Sequence, residues 1–219
     1  MGAAVTVAAL EQLRRLRIVP FVVLDDPAKA VPLARTLVEA GLPCAEISLR
    51  TARALEVLHQ IAAEDPDMLV GAGTVLTRDQ AAQARRAGAR FIGSPGLQPR
   101  VVDFCRDNNI PVIPGVATPT EIGAALDLGL RLLKLFPVEP LGGLPYLEAV
   151  AEPFPGVEFI PAGGITVNQL GAYLAMPCVA ACAGSWLTPR TWIEAGDFDR
   201  VRRVVLHAMH VAHPPASEE

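Results

Sequence analysis

A lysine, Lys134, interrupts the apolar run Leu132-Leu133-Lys134-Leu135-Phe136-Pro137. In a strand, side chains alternate between faces, so Leu132, Lys134 and Phe136 share one face and Leu133 and Leu135 the other. An ammonium among leucines and a phenylalanine loses hydration, which favours the neutral amine. A neutral lysine amine attacks carbonyl carbon, the first requirement of Schiff-base catalysis. Taken alone, the same residue also reads as a surface lysine on an edge strand, or as one whose stem packs while its head reaches water. The rest of the chain decides between these readings.

Other residue types point the same way. Cys44, Glu46, Ser48 and Arg50 alternate along a second strand-like run and share one face. A carboxylate brought beside a buried lysine is either a structural ion pair or an acid/base partner for a nucleophile. Arg50 is a candidate clamp for a carboxylate, with a surface charge at a helix start as the plain alternative. Gly71-Ala72-Gly73-Thr74 ends a further apolar run, where glycines leave room and Thr74 supplies a hydroxyl. Ala162-Gly163-Gly164 and Gly184-Ser185 follow the last two such runs. Glycines there let backbone N–H groups approach an anion, although turns use Gly-Gly for many other purposes.

The elements that must position these groups are short apolar strands alternating with helical segments. Strands are expected over residues 18–24, 44–48, 69–73, 91–94, 111–114, 131–136, 158–162 and 179–183. This spacing is that of one βα unit with short loops. Asp26-Pro27 offers an N-cap with proline at the first helical position. Thr77 with Gln80, Thr118 with Glu121 and Thr166 with Gln169 form capping boxes. Gly41, Gly88 and Gly129 close helical runs just before the next strand. Eight strands, seven intervening helical segments and a terminal helix predict an α/β fold, a single-domain (β/α)8 TIM barrel. An open doubly wound sheet is the alternative. Residues 1–17, with Leu10, Leu13 and Leu16 beside Arg14, Arg15 and Arg17, read as an N-terminal helix packing on the barrel. Residues 18–210 form the barrel and 211–219 a disordered tail. Side-chain layers inside such barrels come from alternate strands, so the second and sixth strands can supply one layer and bring Glu46 and Lys134 face to face.

Composition narrows the function. With 219 residues and 51% hydrophobic side chains, the chain can bury a large core. A formal net charge of −4 without a basic cluster argues against a nucleic-acid surface. No apolar run reaches the roughly 18 residues of a membrane span, and neither a signal-peptide start nor a cleavage site is read. Cys44, Cys105, Cys178 and Cys182 lie in apolar segments without a C-x-x-C pair and read as small buried hydrophobes in a reducing cytoplasm. None of the four histidines falls at an expected strand end, so no metal site is expected.

The chain resembles the 2-keto-3-deoxy-6-phosphogluconate (KDPG) and 4-hydroxy-2-oxoglutarate aldolases over nearly its whole length. The resemblance is carried by Glu46-Ile47-Ser48-Leu49-Arg50-Thr51, Gly71-Ala72-Gly73-Thr74-Val75-Leu76, Ser94-Pro95-Gly96 and Ile113-Pro114-Gly115. It continues through Lys134-Leu135-Phe136-Pro137, Gly163-Gly164-Ile165 and Gly184-Ser185-Trp186-Leu187. It implies a cytoplasmic, homotrimeric class I aldolase of the Entner–Doudoroff pathway, acting without metal or cofactor on a phosphorylated 2-keto acid. Lys134 matches the Schiff-base lysine and Glu46 the general acid/base. Arg50 and Thr74 match positions that hold the pyruvyl carboxylate, and Pro95 and Phe136 those lining the pyruvyl pocket. Gly163, Gly164 and Ser185 match the phosphate end. One departure stands out: the family pattern has threonine before the Gly-Gly, and this chain has Ala162. The alternatives are an aldolase for 4-hydroxy-2-oxoglutarate or 2-dehydro-3-deoxy-6-phosphogalactonate, a non-covalent phosphate-binding barrel enzyme, and a non-catalytic trimeric module.

Overall fold

A computed structural model describes residues 2–214. Nine strands are assigned: β1 (Ile18–Val22), β2 (Cys44–Ser48), β3 (Leu69–Gly73), β4 (Phe91–Gly93), β5 (Val112–Ile113), β6 (Gly115–Val116), β7 (Leu132–Leu135), β8 (Glu158–Pro161) and β9 (Cys182–Gly184). The strands pair in parallel in the order β5-β4-β3-β2-β1-β9 and, separately, β6-β7-β8. Two features close the ring. β5 and β6 are one extended run broken at Pro114, which has no N–H to give to a ladder, while its carbonyl accepts from Lys134 N at 2.9 Å. On the other side, single parallel bridges Phe159–Val179 and Ala162–Ala183 join the β8 and β9 regions. The result is the eight-stranded α/β barrel expected, with the fifth strand split in two.

The last strand is displaced. It forms over Cys182–Gly184 rather than 179–183, and Val179 contributes only an isolated bridge. The run Val179-Ala180-Ala181-Cys182-Ala183 is apolar throughout and lacks the alternation that pins a register. The first strand also stops early, at Val22 rather than 24.

Helices surround the barrel: α1 (Gly2–Leu16), α2 (Ala30–Glu39), α3 (Ala54–Glu64), α4 (Arg78–Arg86), α5 (Pro99–Asp107), α6 (Pro119–Asp127), α7 (Val138–Leu141), α8 (Gly143–Ala151), α9 (Val167–Leu174), α10 (Arg190–Ala195) and α11 (Phe198–Ala212). Local chemistry sets their ends. Asp26 accepts from Ala28 N ahead of a short 3-10 turn, Thr77 caps α4 through Gln80 N, and capping boxes start α6 and α9. Gly41 and Gly129 take the left-handed turn at the end of α2 and α6, which costs a glycine nothing. The helical segment after β7 is divided into α7 and α8, and α10 is an extra short helix before α11. In α1, Ala9, Leu13 and Leu16 are buried in the core. α11 runs past residue 210 to Ala212, and residues 215–219 of the expected tail lie outside the described residues.

Candidate active site

Glu46 on β2 and Lys134 on β7 meet inside the barrel. Lys134 Nζ donates to Glu46 Oε1 at 2.5 Å, and the two side chains are only 7% and 2% exposed. Strand alternation explains the meeting, because both residues take the inward face at the same level. Glu46 is in register with Phe21 on β1 and Gly71 on β3, and Lys134 with Gly115 on β6 and Ile160 on β8. Glycines make room for the pair. A Cβ on Gly73 would stand 2.4 Å from Glu46 Oε1, and one on Gly93 would stand 2.5 Å from that oxygen and 3.1 Å from Lys134 Nζ. The aromatic ring of Phe21 lies 5.7 Å from the ammonium and adds a face that attracts cations.

Above the pair opens a cavity of about 660 Å³ at the C-terminal ends of the strands. Lys134 forms part of its floor, and Glu46 sits behind it. Arg50, Thr74, Pro95 and Phe136 line the same cavity, as do Gly163, Gly164 and Ser185. Arg50 is held by its neighbours: its Nε donates to Ser48 Oγ at 2.9 Å and its guanidinium stands 5.4 Å from the Phe21 ring. Ser48, fully buried, shares a 3.0 Å hydrogen bond with the Thr74 hydroxyl. Thr74 has φ of +58°, a conformation unfavourable for a β-branched residue and held there by the structure around it.

On the far side, the Gly163-Gly164 turn lies against the start of α7. Val138 N donates to Ala162 O at 2.8 Å and Glu139 N to Gly163 O at 3.1 Å. A Cβ on Gly164 would come within 2.7 Å of Glu139 Cβ. The Glu139 carboxylate accepts from the buried Tyr173 hydroxyl of α9, which braces the turn from behind. The Phe136-Pro137 peptide at this corner is cis. Ala162 presents only a methyl to the cavity.

Among the described residues, the charged side chains lining the cavity are all cations: Lys134, Arg50 and Arg190. The site therefore suits an anionic ligand, with a buried amine and carboxylate at its floor for proton and carbonyl chemistry. The sequence reading missed Phe21, Ser48 as the link between Arg50 and Thr74, Gly93, and Arg190. Strand alternation alone places Ser48 on the face of Glu46. Nothing local marks Gly93 or Arg190. Among the described residues no three His, Cys, Asp or Glu side chains are grouped to hold a metal ion, and no helix is long and apolar enough to cross a membrane.

Comparison with known proteins bears on this site. The family profile described as "KDPG and KHG aldolase" matches residues 10–204. A 2-dehydro-3-deoxy-phosphogluconate aldolase of Treponema pallidum is 48% identical over 195 residues, covering 89% of this chain and 93% of that protein. The KHG/KDPG aldolase of Escherichia coli K12 is 41% identical, covering 89% and 92% respectively. A crystal structure of the Legionella pneumophila KDPG aldolase, with pyruvate captured as a covalent carbinolamine, superposes with a TM-score of 0.88. It is 34% identical and covers 91% of this chain and 97% of its own. With a buried lysine–carboxylate pair at the mouth of a barrel that matches these proteins nearly end to end, this chain belongs to the KDPG and KHG aldolase family.

Proposed function

We propose that this chain is a class I aldolase that cleaves 2-dehydro-3-deoxy-6-phosphogluconate to pyruvate and glyceraldehyde 3-phosphate through an imine on Lys134. The observation that carries the reading is the 2.5 Å Lys134–Glu46 contact at the floor of the cavity. Glu46 is placed to take a proton from the ammonium, and the freed amine attacks the C2 ketone. The resulting carbinolamine loses water, with Glu46 returning the proton to the departing oxygen, and leaves an iminium. That cation accepts the electron pair of the C3–C4 bond as it breaks, while Glu46, directly or through water, accepts the C4 hydroxyl proton. Glyceraldehyde 3-phosphate departs. The enamine is protonated at C3 and hydrolysed to pyruvate, regenerating the lysine.

Positioning follows the charges. Arg50, fixed by Ser48 and backed by Phe21, takes the pyruvyl carboxylate with the Thr74 hydroxyl beside it. Pro95 and Phe136 give that end its apolar wall, and Gly163, Gly164 and Ser185 face the phosphate end. The same reading makes the protein a homotrimer working in the cytoplasm, where free Cys44, Cys105, Cys178 and Cys182 stay reduced.

The chain contains only two lysines, Lys29 and Lys134. Incubation with pyruvate and borohydride followed by intact mass and peptide mapping should yield one reduced adduct, at Lys134. Lys134→Met should abolish both trapping and turnover. Trapping at Lys29, or an active Lys134→Met, overturns the assignment. If 4-hydroxy-2-oxoglutarate proves the better substrate, the imine chemistry stands and the phosphorylated substrate does not.

A further inference from the structure

Among the described residues, Arg190 is the one cation of the cavity wall that the reaction described above leaves without a task. It opens α10, five residues after Ser185 and beyond the turn carrying Trp186, Thr188 and Pro189, all of which line the same cavity. Arg50 is tied into the floor near Lys134, whereas Arg190 belongs to the wall built after β9. The cavity thus carries a cation on each of two separate elements, and an aldol substrate with a carboxylate at one end and a phosphate at the other offers an anion to each.

The state of Arg190 suits exchange. Its Nε donates to Glu194 at 2.6 Å, one turn along α10, and the two side chains are 58% and 50% exposed. Asp25, in the loop after β1, adds to the negative field around it. An exposed pair one helical turn apart is weak and screened by salt. A phosphate offers the guanidinium fork two oxygens and up to two charges, a stronger partner than one carboxylate oxygen. Ala162 gives the same end of the cavity no hydroxyl.

Building on the aldolase reading, we propose that Arg190 is a specificity-determining residue that takes the substrate's distal phosphate, releasing Glu194 as it does so. It supplies the charged contact at an end where the Gly163-Gly164 turn offers only backbone and Ala162 only a methyl.

Steady-state cleavage of the 6-phosphorylated sugar acid and of its unphosphorylated analogue tests this. For Arg190→Gln, KM for the phosphorylated substrate should rise roughly tenfold relative to the unphosphorylated one, equivalent to about 1.4 kcal/mol. The loss should appear in KM rather than kcat, because the contact is remote from the bond that breaks. Inorganic phosphate should inhibit the wild type competitively and R190Q more weakly. Glu194→Gln should act in the opposite sense, lowering KM for the phosphorylated substrate by freeing the guanidinium. The proposal is overturned if R190Q leaves the ratio of the two KM values unchanged, or if E194Q raises it. Pyruvate trapping by the wild type separates the two levels of the argument: if no imine forms, the aldolase reading fails, and if it forms while the KM ratio stays fixed, only the role of Arg190 fails.

Discussion

Gly93→Ala tests whether the geometry of the buried pair, rather than its mere presence, sets the rate. Gly93 lies on β4 with ordinary strand backbone, so alanine brings one methyl and no backbone strain. That methyl would stand 2.5 Å from Glu46 Oε1, whereas ordinary contact begins at 3.4 Å. The carboxylate must therefore shift by the difference, about 0.9 Å. A shift of that size, directed away from the new methyl, lengthens the 2.5 Å contact with Lys134 Nζ to about 2.9 Å, the long end of the charge-assisted range, and moves the carboxylate off its place. A misplacement of about 1 Å at a reacting group costs on the order of 10²-fold in rate. Overpacking should lower stability by about 1–3 kcal/mol. Pyruvate release and urea unfolding measure the two effects, and the rate of borohydride trapping reports on the imine step. Gly123→Ala on α6, where a new Cβ meets nothing within 4 Å, is the control and should be as active as wild type. A Gly93→Ala protein with normal turnover and normal stability would mean that the Lys134–Glu46 pair tolerates displacement without cost.

Glu46→Gln should reduce turnover by roughly 10²–10⁴-fold, the range for a positioned acid/base, while leaving the barrel folded and some pyruvate trapping detectable. A variant that instead unfolds marks the pair as structural. Tyr173→Phe removes the hydroxyl that donates to Glu139 and leaves a half-buried carboxylate short of a partner. Urea unfolding should show a loss of about 1–3 kcal/mol, and no loss would mean that the turn before α9 needs no brace. Stability should also fall in alkali. Burial pushes the Cys105 and Cys182 thiols up to about 12, and burial with the nearby Glu46 charge raises Cys44 as well. Thiols of the unfolded chain ionise first, near pH ~8.5, so the folded state's advantage is complete below that pH and is lost as pH rises toward about 12. Melting temperature followed from pH 8 to 11 should fall with a slope that Cys182→Ala and Cys105→Ala make shallower. An unchanged slope in both variants would remove the thiols as its cause.

What the sequence made legible were features governed by short-range rules. Lys134 stood out because one charge in an apolar strand breaks a pattern of period two, and the same alternation put Glu46, Ser48 and Arg50 on one face. Capping signals act within four residues: the boxes at Thr118 and Thr166 formed, whereas at Thr77 only half did, the Gln80 side chain accepting from Leu76 N instead of Thr77 N. Features that depend on curvature or on neighbouring chain were not legible. Gly93 is one glycine among 18 until the barrel closes and brings Glu46 against it. Pro114 looked like the end of a strand, yet the strand resumes at Gly115, which pairs with Lys134 on β7, a partner no local pattern names. Arg190 follows the last strand on a short helix whose direction no local pattern gives.

These details together weigh against a purely structural pair. Two ions moved from water into a barrel core lose several kcal/mol of hydration, and apolar residues of similar size often serve stability as well or better. The surroundings of Lys134 and Glu46 make further concessions in the same place. Gly73 and Gly93 leave two strand positions without a packing side chain, which weakens a strand. Thr74 holds a left-handed backbone that an L-residue with a branched Cβ disfavours. Ser48, fully buried, spends its hydroxyl orienting Arg50 and Thr74 instead of filling the core. Elsewhere the barrel core is built mainly from buried Leu, Ile, Val and Ala. Concentrating unfavourable choices at one end of a well-packed fold is the pattern expected where stability is traded for a working site. A chain with only two lysines that places one of them there fits the imine chemistry proposed for Lys134.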